Sequence, residues 1–202
     1  MTETRETVDA PATAPEPVAR RVRPRPEPRD AFRLPLLTFL LVGCTVAVVL
    51  GIYAAEHEPA GYSLDVAGFS SPLYVKAWLT TAAAVLGVVQ LLTAGRMHDA
   101  GSRPWTRTVH RWSGRVAVLL TVPVVVHCVY ALGFHSDSTR ALVHSAVGCF
   151  FYGVFVAKML ALTRPGLPRW VVPVLGGLLF TALLALWFTS SLWVFTSSGF
   201  HF

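Results

Sequence analysis

His127 and His144 each sit inside an otherwise apolar stretch long enough to cross a bilayer, and a short loop joins the two stretches. If residues 116–134 and 141–163 fold as an antiparallel hairpin, its midpoint falls near His135 and Ser136, so the two imidazoles lie at one depth. Ionisable side chains inside a membrane are rare, and they usually face a bundle interior where they bind something or move charge. Two facing imidazoles can serve as both axial ligands of a haem iron, or as part of a copper or zinc site. A structural or proton-relay role is the third reading of the same pair.

The elements that must position these histidines are membrane helices. The chain has 202 residues, 53% of them hydrophobic, and the apolar residues are gathered in runs. Spans of about 20 mainly apolar residues are predicted over 34–55, 71–94, 116–134, 141–163 and 170–195. The expected fold is all-α, a five-helix transmembrane bundle over residues 31–202 with short connections. Residues 1–30 hold six prolines and many charges with few apolar residues, and read as a disordered cytoplasmic tail. Small residues within the spans, among them Gly43, Gly51, Gly87, Gly148 and Gly153, suit close helix or cofactor approach.

The formal charge of +6 raises the question of nucleic acid, and its distribution answers it. Seven arginines precede Leu34, Arg96, Arg103, Arg107, Arg111 and Arg115 lie between or near spans two and three, and Arg164 and Arg169 precede span five. Lys76 and Arg140 alone fall on the other side. That asymmetry predicts a cytoplasmic N-terminus and an external C-terminus, with no nucleic-acid partner. The first apolar stretch starts too late for a cleavable signal, so an uncleaved, multi-pass protein of a bacterial plasma membrane is expected. Cys44, Cys128 and Cys149 lie within spans and read as small core residues, although a disulfide between Cys128 and Cys149 is open.

A second level of polar residues lies towards the arginine-rich side. His98 and His110 flank Pro104, and Lys158 follows His144 by fourteen residues, which brings both onto nearly one helix face. For a haem at the outer pair, Gly148 leaves room one turn after His144, and Arg140 is a propionate partner. Arg111 and Arg115 suit the same role at an inner haem, and otherwise act as topology determinants. Gln90 is expected to hydrogen-bond between helices.

His110-Arg111-Trp112-Ser113-Gly114 opening the third span, the pair His127-Cys128, and His144 with Gly148 on the fourth together resemble the transmembrane di-haem cytochromes b, including the ferric-reductase-like branch. The resemblance runs from Arg96 to Lys158. It implies haem b held between helices, two haems in the full pattern, each helix of a pair carrying two histidines on one face. Two departures are plain. His110 and His127 are seventeen apart, roughly 100° out of phase on an ideal helix, with Pro123 between them as a point of re-phasing. Lys158 stands where a second histidine of the fourth span belongs. The length and span count are also similar to small bacterial membrane families without an assigned activity.

No soluble portion is large enough for a flavin or nicotinamide domain, and no Gly-rich phosphate loop or embedded carboxylate pair occurs. The expected function is therefore a b-type cytochrome-like subunit that relays electrons through haem at His127 and His144, its donor a separate redox protein or a quinone. A non-haem anchor or assembly subunit is the alternative. The bilayer is the constant partner, and homodimerisation is open.

Overall fold

The computed structural model describes residues 32–61, 71–97 and 103–201. Within them five helices are long and apolar enough to cross a membrane: α1 Arg33–Glu56, α2 Pro72–Arg96, α3 Pro104–Leu132, α4 Thr139–Leu162 and α5 Val171–Ser198. No strand occurs among the described residues. This is the architecture of a multi-pass membrane protein, and it follows from the solvent: hydrocarbon offers no partner to backbone amides, so each crossing segment must satisfy its own. Side chains such as Leu37, Leu41, Val48 and Ile52 lie exposed on α1, where lipid rather than water would meet them.

The helix starts carry recognisable signals. Pro72 and Pro104 open α2 and α3, where the missing N–H costs nothing. Ser138 caps α4 by accepting a hydrogen bond from the Ala141 amide at 3.2 Å. Gly133 stops α3 at φ 82°, a conformation open to glycine, and its amide returns to the Cys128 carbonyl at 3.0 Å.

α3 begins twelve residues before the apolar window from 116 would place it. Its first turns are amphipathic: Thr106 and Ser113 are buried while Arg107, Arg111 and Arg115 face outward, so a hydropathy average misses a helix that is continuous. Pro123 does not end this helix. Four residues later, at His127–Leu132, it widens into a π-helical segment. A second π-helical turn, Phe188–Leu192, interrupts α5.

The packing order around the bundle is α3, α2, α5, α4, α1. α1 crosses α4 at Gly43 and Gly153 so closely that a Cβ on Gly43 would lie 2.5 Å from the Gly153 carbonyl oxygen. α3 rests on α2, and α5 fills the space between α2 and α4 around Ala83, Phe151, Ala182 and Leu183. α3 and α4 stand apart. Tyr152 bridges them, its hydroxyl donating to the Thr121 backbone carbonyl and side-chain oxygen at 3.0 and 2.9 Å. α1 and α3 meet only at their ends, where the Phe134 amide donates to the Ala54 carbonyl at 2.7 Å. That end, which also carries the starts of α2 and α4 and the end of α5, is the upper end of the bundle. The tail predicted over residues 1–30 and the site residue His98 lie outside the described residues.

Candidate functional site: a cavity in the upper half of the bundle

Where α3 and α4 stand apart, a cavity of about 220 Å³ opens, and all five helices contribute to its wall. Its lining is mostly apolar, with polar groups that include Lys76 and Thr80 of α2, Thr121 of α3, His144 and Tyr152 of α4, and Ser190 of α5. An apolar pocket with sparse polar groups is the usual form of a small-molecule site. Both π-helical segments border it, Cys128 and Val129 from the first and Thr189 and Ser190 from the second. Such segments turn the helix out of register and often mark functional positions.

His144 is held through one ring nitrogen. Its Nδ1 lies 2.9 Å from the Thr189 hydroxyl oxygen, and that hydroxyl donates its one proton to the Ala185 carbonyl at 2.7 Å. With its proton on that carbonyl, the Thr189 oxygen accepts from Nδ1–H, the arrangement in which neutral His144 keeps its Nε2 lone pair available. Metal-bound histidines are oriented in this way by a hydrogen bond on the distal ring nitrogen. His110 repeats the arrangement near the other end of the bundle, its Nδ1 2.9 Å from Thr93 Oγ1, whose proton goes to the Val89 carbonyl at 2.7 Å. His110 lines neither the central cavity nor the recess that holds His127.

His127 is elsewhere. It lines a separate recess of about 190 Å³ with Pro72, Val75, Lys76, Leu79, Pro123 and Val124, between α2 and α3. The expected pairing of His127 with His144 across one site is thus not what the structure brings together. Matched depth is a matter of counting residues, whereas facing depends on helix rotation and on which helices are neighbours, and α3 packs on α2 rather than on α4. Lys76 and Val124 border both spaces and form the partition between them.

The other expected site residues divide in the same way. Arg140 stands at the cavity mouth but is engaged: its guanidinium donates to the Thr189 carbonyl at 2.8 Å and lies 4.0 Å from the centre of the Trp193 ring. It holds the π-helical turn that carries Thr189. Gly148 lines the cavity and leaves space there, since a Cβ would meet only Leu186 at 3.9 Å. Gly114 makes room for a side chain instead. Gln90 packs on it, 3.0 Å from where a Cβ would be, and donates to the His110 carbonyl and to Ser113 Oγ. The interhelical role expected of Gln90 is therefore present, and Gly114 makes the room for it. Lys158 lies along α5, its amine 3.4 Å from where a Cβ on Gly176 would be. Arg111 is exposed, and Arg115 lies over the Trp112 ring at 5.1 Å.

Cys128 and Cys149 both line the cavity as free thiols, so the disulfide left open by their depth is not formed. Among the described residues no group of three or more His, Cys, Asp or Glu side chains gathers, and the copper or zinc reading finds no donor cluster there. Sequence reasoning does not single out Thr189, Thr93 or Ser190. The run Thr189-Ser190-Ser191, three hydroxyls in succession within an apolar span, is the available signal.

The family described as a family of unknown function, DUF6529, matches residues 36–202, and the chain belongs to it. No curated protein and no solved structure matches the chain.

Proposed function

We propose that this member of DUF6529 holds haem b in the central cavity with His144 as an axial ligand, and passes single electrons between separate redox partners. The observation that carries the reading is the His144–Thr189 hydrogen bond, which engages Nδ1 and leaves Nε2 to act as the donor atom in a cavity walled by five helices. Haem, when bound, supplies one-electron chemistry that no side chain of this cavity can supply alone.

The chain's own residues do the complementary work. Thr189 orients the imidazole and raises its basicity as a ligand. Arg140 secures the backbone from which Thr189 projects. The apolar wall from α3 and α5 excludes water, which is one of the levers on a haem potential. His127 drops out of the ligand set in this proposal, and one haem is proposed rather than two, because His110 borders neither cavity.

The arginine asymmetry supports a cytoplasmic N-terminus, an external C-terminus and a bacterial plasma membrane, which would direct the upper cavity towards the outer face. The electron donor is then a second polypeptide or a quinol. Titration of the purified protein with haemin tests the reading: a saturable, stoichiometric Soret shift is expected, and it is lost in His144→Ala. A Soret shift of equal size and affinity in His144→Ala would overturn it.

A further inference from the structure

The upper half of the cavity carries two fixed positive charges and, among the described residues, no counter-charge. Lys76 and Arg140 border it, and no described Asp or Glu does. Arg140 is occupied by the Thr189 carbonyl and the Trp193 ring, whereas the Lys76 amine makes no hydrogen bond or ion pair with a described residue. In the lining of the same cavity, the Ser190 hydroxyl is a second unmet group: Ser190 is 5% exposed, and its Oγ has no hydrogen-bond partner among the described residues. The elements that carry the two are in contact: Ser191 Oγ donates to the Ala77 carbonyl at 2.9 Å and so seats the second π-helical turn against α2, Ser190 and Lys76 each being next in sequence to a contact residue.

A buried hydroxyl without a partner is uncommon and asks for an acceptor or donor from outside the chain. An ammonium in apolar surroundings asks for an anion. Both requests are met by one acidic group. The wall around them is apolar, and the recess between α2 and α3 reaches the same lysine from the other side.

We propose that the cavity takes an amphiphile bearing a carboxylate or phosphate, with the acidic group held by the Lys76 amine and the Ser190 hydroxyl and the apolar body against α3 and α5. This rests on reading the cavity as the binding site. Haem, through its carboxylates, and a fatty acid share this chemistry, and paired probes separate them.

The full chain in neutral detergent is titrated with oleate and with oleyl alcohol, and with haemin and its dimethyl ester, at a pH where the acids are ionised. Wild type is expected to favour each acid over its uncharged counterpart by roughly tenfold or more, the scale of a desolvated, hydrogen-bonded charge contact. Lys76→Gln abolishes the preference without loss of affinity for the uncharged member of each pair, and Lys76→Arg retains it. Retained affinity for the uncharged members shows that the Gln variant is folded.

Equal affinities for acid and uncharged partner in wild type, a preference unchanged by Lys76→Gln, or no binding of any probe would overturn the proposal. Haemin bound through His144 with no preference over its ester, and none for oleate over the alcohol, leaves the haem reading standing and removes this one. A Lys76-dependent preference for oleate, with no haemin binding, does the reverse.

Discussion

The proton of a neutral imidazole can sit on either nitrogen, and nothing in the residue type selects one. At His144 the Nδ1–H form is the one that Thr189 matches when its own proton is on the backbone carbonyl four residues earlier. Thr93 offers His110 the same match. Thr189→Val keeps the shape, removes the acceptor and leaves a buried N–H unmet, so a loss of about 1–3 kcal/mol is expected, read as the shift in detergent unfolding midpoint by circular dichroism. If the histidine binds haem, the same variant also moves its reduction potential. A Thr189→Val protein unchanged in both would show that the tautomer is not held there. Intramembrane histidines are conspicuous in the sequence because charge-capable side chains are costly at that depth. Their neighbours are not: a threonine is an ordinary residue in a membrane helix, and its commitment to Ala185 depends on rotamer and register. Lys76 reads in sequence as a lysine near a helix end, able to snorkel to the headgroups, because nothing in linear order shows that its position on α2 borders two cavities.

Helix contacts explain which of the expected glycines matter. A Cβ on Gly43 meets a backbone carbonyl that cannot yield, and Gly153 faces the same obstacle from α4, so Gly43→Ala forces the crossing apart. The expected cost is about 1–3 kcal/mol of overpacking. Gly177, on α5, has nothing within 4 Å of the same construction, and Gly177→Ala is expected to be neutral or to stabilise by about 0.4–1 kcal/mol. Unfolding midpoints measured side by side check the pair, and equal effects would mean that α1 does not cross α4 as described. The number and rough position of the helices are legible in sequence because apolar runs of the necessary length have no other stable form in a bilayer. The early start of α3 is not, since its arginines mask a helix whose buried stripe holds Thr106 and Ser113. The π-helical segments are also hidden. Pro123 is visible as a point of re-phasing, and the structure has its π-helical segment begin at His127, but the widening at Phe188–Leu192 has no proline to announce it.

At the scale of the whole molecule, the helix order leaves one seam open. α3 is held by α2 along its length and touches α1 only at the upper end, while Tyr152 spans its distance to α4. The cavity is the consequence of that seam, and hydropathy cannot foresee it because spans adjacent in sequence need not be adjacent in space. The charge asymmetry yields a separate expectation about orientation. Alkaline phosphatase, active only outside the cytoplasm, is expected to be active when fused after Phe202 and inactive when fused after Arg164. The reverse pattern would turn the cavity towards the cytoplasm and remove external partners from the account. The most direct measurement of the central claim is the dithionite-reduced minus oxidised visible spectrum of protein purified from haem-replete cells, compared for wild type, His144→Ala and His127→Ala. A b-type alpha band that is present in wild type, lost in His144→Ala and kept in His127→Ala is the predicted result, and a band that survives in His144→Ala, or folded wild type without any band, would contradict it.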